Sequence, residues 1–279
     1  MVIDSHHHFW HYDPVTYDWI DDEMKDIRTD FLPGMLEQTI LESGIDGVIS
    51  VQARQSLEET NWLLEQAQQH DFIKGVVGWV PLVNNNLVEI LDQYGNQKLL
   101  KGVRHVIQGE PDPCFMLNSD FNRGIRLLKK YHLVYDILIT EKQLPNTIRM
   151  VDQHPDQVFV LDHMAKPLIR KKELSPWKEQ VQELAKRDHV NCKISGMVTE
   201  ADYHGWTTEQ LRPYFEVVLE AFGPDRLLFG SDWPVCLVAT TYHDWVTLVK
   251  REISNLSKEE QAKIMGGNAE RMYKLRVEN

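Results

Sequence analysis

Short runs of apolar and β-branched residues alternate along the chain with longer stretches whose apolar positions recur every three or four residues. The short runs fall at 2–6 (VIDSH), 46–52 (DGVISVQ), 73–79 (IKGVVGW), 101–105 (KGVRH), 133–138 (LVYDIL), 157–162 (QVFVLD), 189–194 (HVNCKI) and 226–230 (RLLFG). Their near-continuous apolar character predicts strands covered on both faces. Helical spacing occurs at 34–43, 119–131, 140–153, 175–187, 207–222, 257–265 and 267–275. Another helix runs through NWLLEQAQQH, opened by Ser56-Leu57-Glu58-Glu59 in the pattern of a capping box. Eight strands alternating with helices predict an α/β fold, a single (β/α)8 TIM barrel over residues 1–279. An open doubly wound sheet is the competing topology, but no GxGxxG or GxxxxGK[ST] element supports nucleotide binding.

Composition narrows the partners. The 279 residues carry a formal charge of −12, which argues against nucleic-acid or anionic-membrane partners, since those surfaces are held by clustered Lys and Arg. Three cysteines, Cys114, Cys192 and Cys236, form neither a CxxC pair nor a disulfide framework, and read as packing residues in a reducing, cytoplasmic compartment. No apolar run is long enough for a membrane span, and the first residues lack the pattern of a secretory signal. Glu58-Glu59 and Arg170-Lys171-Lys172-Glu173 read as solvated surface.

In a barrel of this kind, chemistry sits at the C-terminal ends of the strands. The polar residues there are His6 and His8, Gln52 and Arg54, Arg104 and His105, Asp136, His163, Lys193 and Ser195, and Ser231 and Asp232. Inside a barrel such groups are costly unless paired or chemically employed. His6 and His8, two apart on a strand, face one point while His7 faces away, so both imidazoles can serve a metal or a developing charge. Asp232 can activate water as general base or ligate a metal. Arg104 can hold a carboxylate or an oxyanion. His163 offers a ligand, an acid or a hydrogen-bond donor. Asp162 alternates away from His163. Gln52, Arg54, Trp10, Asp136 and Lys193 are candidate substrate-binding groups. The segments 9–33, 106–118, 164–174, 196–206 and 232–244 are expected to shape the pocket.

IDSHHHFW, GVRH, VLDHMAKP, GSDWP and the terminal GNAERMY, in this order from Ile3 to Tyr273, together resemble the amidohydrolase superfamily. Within it they are similar to the amidohydrolase-2 branch, which is rich in sugar-lactone hydrolases. The resemblance implies a distorted barrel that opens a lactone ester to the free acid. It places His6, His8, His163 and Asp232 at the metal or catalytic centre and Arg104 on the substrate, with Asn268 capping the closing helix. Both one divalent ion, zinc first, and a metal-independent hydrolysis are consistent with it. At the fifth strand, VYDIL offers Asp136 where many binuclear relatives have Lys or His, which argues against a binuclear centre. A metal-dependent decarboxylase of the same superfamily and a non-catalytic sugar-acid binder are the alternatives.

Overall fold

The computed structural model describes residues 1–275. Eight parallel strands form one sheet in sequential order: β1 (Ile3–His7), β2 (Gly47–Val51), β3 (Ile73–Gly78), β4 (Leu100–Val106), β5 (Val134–Leu138), β6 (Phe159–Leu161), β7 (Val190–Ile194) and β8 (Leu227–Phe229). Each is followed by a helix: α1 (Pro33–Glu42), α2 (Leu57–Gln69), α3 (Leu87–Tyr94), α4 (Ser119–Leu128), α5 (Leu144–Asp152), α6 (Trp177–Leu184), α7 (Thr208–Phe222) and α8 (Tyr242–Glu252). This is the (β/α)8 barrel that the alternation predicts. The pattern reading passes over α3 and α8. In α8 the periodicity is present, with Tyr242, Trp245, Val246 and Val249 all buried. Its aromatic and β-branched residues, however, favour strands by local propensity, and packing overrides them. No helix among the described residues is long and apolar enough to cross a membrane.

Apart from irregular steps in the register of β1 to β4, residues alternate between the two sides of the barrel wall. Val48, Val76, Val103, Tyr135, Phe159, Cys192 and Phe229 pack outward under the helices. Ile3, Ile49, Val51, Val77, Val134, Val160 and Leu228 fill the interior, closed from below by Ala269 and Tyr273 of the terminal helix. Asn268 starts that helix but does not cap it. Its side-chain amide donates to Pro224 O (2.8 Å) and Leu227 O (2.7 Å), tying the helix to the approach to β8.

The seam between β8 and β1 is irregular. Asp232 N–H donates to His6 O (2.8 Å) and His8 N–H to Trp233 O (2.7 Å), so residues beyond β8 complete the wall. On β1, the step from Asp4 to His7 lies opposite the step from Val48 to Ser50, three residues against two. This bulge lets Ile3 and His6 both face inward, although they are an odd number of residues apart. Asp4 pins it by accepting from the backbone N–H of His6 (3.1 Å) and Ser231 (2.8 Å).

Candidate active site

His6, Arg104, Asp136, Asp162 and Lys193 form a buried polar layer above the apolar floor, with His8, His163 and Asp232 above them. Lys193 Nζ lies 2.5 Å from Asp136 Oδ2, 3.1 Å from Asp162 Oδ1 and 3.2 Å from His6 Nδ1. Tyr273 Oη donates to the Asp136 carboxylate (2.8 and 2.9 Å). Arg104 Nη1 reaches Asp162 Oδ2 (3.1 Å) and His6 Nε2 (3.3 Å), while Nη2 bonds the Gln52 carbonyl. Burial alone would raise the Asp162 carboxyl, but Lys193, His6 and Arg104 outweigh it and hold it well below the usual carboxylate range.

Asp232 Oδ1 is 3.4 Å from His8 Nε2, 3.7 Å from His6 Nε2 and 4.0 Å from His163 Nε2. Burial opposes its ionisation, but His163, His8 and His6 hold it well below the ordinary carboxylate range. Burial drives His6 well below the usual imidazole range and His163 down to about 4. Both rings are therefore neutral near pH 7, the form that can ligate a metal. His8 Nδ1 faces the Val51 carbonyl at 2.8 Å, so a neutral ring with its proton there turns the Nε2 lone pair toward Asp232. Two electron-pair donors 3.4 Å apart are satisfied by a cation between them. The donors of His6, His8 and Asp232 lie within 4.8 Å of one another, so these residues fit a divalent ion. A second such group is His6, Asp162 and His163.

The layer opens into a cavity of about 570 Å³ whose lining includes His8, Arg54, Arg104, His163, Lys166 and Asp232. Trp19, Met24 and Tyr203 give it an aromatic and apolar side, and Gln55, Gln108 and Glu200 add polar groups. Of the residues expected to contact substrate, Arg54 lines this cavity. Gln52, Asp136 and Lys193 do not: each is fully buried, a layer below it or behind Arg104. Trp10 also departs from expectation. It is fully buried, donates to Thr29 O (2.8 Å) and packs against Tyr17, Trp19 and Phe31. His7 faces outward onto Ser50 Oγ (2.9 Å) and Phe9. His105 also faces away, bonded to Glu110 (2.6 Å) and stacked on Phe115.

His163, and not Asp162, is the residue that strict alternation mispositions. Val160 faces inward, and period two carries Asp162 inward with it. Regular strand continuation would then turn His163 outward. Instead His163, Met164, Ala165 and Lys166 all adopt positive φ (50–62°), and this left-handed turn swings His163 back over the site. Such a run of non-glycine residues costs about 1–2 kcal/mol each. Trp177 Nε1 helps hold it by donating to Met164 O (2.7 Å). The turn also delivers Lys166 to the cavity wall, 3.6 Å from Glu200, a pair with no signal in the local pattern. Glu59, expected on the surface, is buried. Ser56 Oγ accepts from Glu59 N–H (3.1 Å), but the carboxylate reaches past Ser56 to the N–H groups of Ala53 and Arg54 (3.1 and 2.8 Å).

An HxH pair at the end of β1, a histidine after β6 and an aspartate after β8, gathered at the mouth of a (β/α)8 barrel, define an amidohydrolase-type site. The chain belongs to the amidohydrolase family, since the Amidohydro_2 model, described as Amidohydrolase, matches residues 3–275. It is 40% identical over 286 residues to an L-fucono-1,5-lactonase of Burkholderia multivorans, covering 99% of this chain and 96% of the relative. A second L-fucono-1,5-lactonase, from Burkholderia ambifaria, is 30% identical, with 98% and 95% covered. A crystal structure of an amidohydrolase from Burkholderia multivorans with bound zinc superposes with a TM-score of 0.96 at 39% identity, covering 99% of this chain and all of that one.

Proposed function

We propose that this protein opens the ester ring of a sugar-acid lactone to the free acid, with L-fucono-1,5-lactone as the first substrate to test. The observation that carries the reading is the near full-length likeness, at 40% identity, to the Burkholderia multivorans lactonase. The donor set at the cavity mouth is suited to the chemistry. Ionised Asp232 accepts a proton from the attacking water as its oxygen bonds to the lactone carbonyl carbon. Arg104 and the His163 imidazole stabilise the oxyanion that forms. Arg104 is among the residues that line the cavity. When the ring C–O bond breaks, the proton held on Asp232 passes to the leaving alkoxide. Arg54, Lys166 and Glu200 read the hydroxyls, and Trp19 covers an apolar face of the sugar.

A divalent ion, zinc by the likeness above, would be held by His6, His8 and Asp232, and when bound would supply Lewis-acid polarisation at the cavity mouth. A lactone is an activated ester, so the protein's own donors also suffice for a metal-independent hydrolysis. We place the enzyme in the cytoplasm, acting on a small-molecule sugar lactone.

An acid-release screen over aldonolactones, with and without chelator, tests the reading. Asp232→Asn is expected to lower kcat by about 10²–10⁴-fold, the usual worth of a positioned acid–base group. Wild-type inactivity across the panel in a folded protein would refute lactone hydrolysis. Release of carbon dioxide from an aromatic acid would move the reading to the decarboxylase.

A further inference from the structure

His6 sits between two cations and two carboxylates. At Nδ1 it meets Lys193 Nζ (3.2 Å) and Asp162 Oδ1 (3.3 Å). At Nε2 it meets Arg104 Nη1 (3.3 Å) and Asp232 Oδ1 (3.7 Å). Ammonium and guanidinium groups only donate, and ionised carboxylates only accept. A neutral imidazole carries one proton, so it can satisfy one cation and one carboxylate at a time. With the proton on Nε2, the ring accepts from Lys193 and donates toward Asp232. With the proton on Nδ1, it donates to Asp162 and leaves the Nε2 lone pair free to accept from Arg104 or to take a cation shared with Asp232. Only the second arrangement makes His6 a metal ligand through Nε2.

We propose that Lys193 and Asp162 compete for His6 Nδ1, and that their balance sets how tightly the site takes a divalent ion. The inference rests on reading His6, His8 and Asp232 as the ligand set. Both competitors are held in place from outside. Lys193 is fully buried and anchored by Asp136, itself fixed by Tyr273. Asp162 is anchored through Oδ2 by Arg104 (3.1 Å). Its Oδ1 is buried and makes no hydrogen bond of good geometry in this arrangement, so an acceptor stands ready for the Nδ1 proton. Binding a cation at Nε2 moves the His6 proton to Nδ1, where Asp162 Oδ1 takes the hydrogen bond. Lys193 then keeps its two carboxylates and gives up its contact with the ring. No proton enters or leaves the ring in this exchange; its position alone changes. Lys193 is thus a positioning residue that acts against the metal, and Asp162 one that acts for it.

Zinc dissociation constants, measured by chelator competition on the full chain without substrate, test the competition. Lys193→Met is expected to tighten zinc at least tenfold, and Asp162→Asn to weaken it at least tenfold. Histidine ¹⁵N spectra of the zinc-free proteins, with His6 assigned by difference from His6→Gln, supply a readout that a merely structural role would not move. The proton should lie on Nδ1 in Lys193→Met and on Nε2 in Asp162→Asn. If one variant does not fold, the other decides. Unchanged or same-sign shifts in affinity, or a tautomer that ignores both substitutions, would overturn the proposal. Failure of wild type and both variants to bind zinc removes the ligand assignment and the proposal with it, while acid release without added metal reports separately on lactone hydrolysis.

Discussion

Gly196 carries the sharpest structural prediction. It follows Ser195 at the end of β7, has a φ of +66°, and a Cβ built there would stand 2.5 Å from His163 Nδ1 and 2.8 Å from its Cγ. Replacement by alanine therefore has two separable effects. The left-handed backbone costs about 1–2 kcal/mol in any L-residue other than glycine. The methyl group must also displace the imidazole to an ordinary contact near 3.5–4 Å, a shift of roughly 1 Å. That shift breaks the Ser195 Oγ to His163 Nδ1 hydrogen bond (3.0 Å) and moves Nε2 away from Asp232. Misplacement of this size costs about 100-fold in rate, or about 2.7 kcal/mol of barrier. Gly44 isolates the backbone effect, since it has φ +70° and only Lys250 Nζ, at 4.0 Å, near the new Cβ. Gly44→Ala should lose similar stability by urea unfolding and keep its lactone acid-release kcat/KM. Gly196→Ala should lose that stability and about two orders of magnitude in kcat/KM. Equal activity in the two variants would show that His163 does not need its observed position.

The other predictions probe different layers. Burial raises Glu59 to about 7, against the pull of two backbone N–H groups and of Arg54 and Arg104. The stability this gives the neutral form is complete below about pH 4.5 and lost as pH rises through about 7. Glu59→Gln keeps an acceptor and has no charge to bury, so urea unfolding should show it matching wild type at pH 4.5 and exceeding it at pH 8 by up to about 3 kcal/mol. An identical pH slope in the two proteins would refute the burial argument. Trp10→Ala should lose about 3–5 kcal/mol of stability as a core truncation. Trp19→Ala, 40% exposed on the cavity wall, should instead raise KM with little change in Tm. Reversed effects would return Trp10 to the substrate.

The barrel was legible because each strand is a short apolar run and the strands recur with helical spacing between them. The line from His6 to His8 was legible for the same reason: period two separates His7 from its neighbours whatever surrounds them. Position at strand ends was enough to bring Asp232 and Arg104 to the same cavity. Glu59 was misread because a charged pair early in a helix is normally solvated, and only the return of the chain over Ala53 and Arg54 covers it. Lys193 and Asp136 were found but given the wrong neighbours. Sequence shows that both face inward; depth along the barrel axis depends on strand stagger, which places them below the cavity and against each other.

What the chain alone determined is therefore periodic and local: strand number, the side of the wall most residues face, and the set of ionisable side chains gathered near one end. Packing decided what breaks the period. A bulge held by Asp4 lets Ile3 and His6 share a face, and a left-handed turn after β6 lets Asp162 and His163 share a site. Neither can be read from local preference, because left-handed, non-glycine backbone is disfavoured in isolation and persists only where tertiary contacts over-determine it.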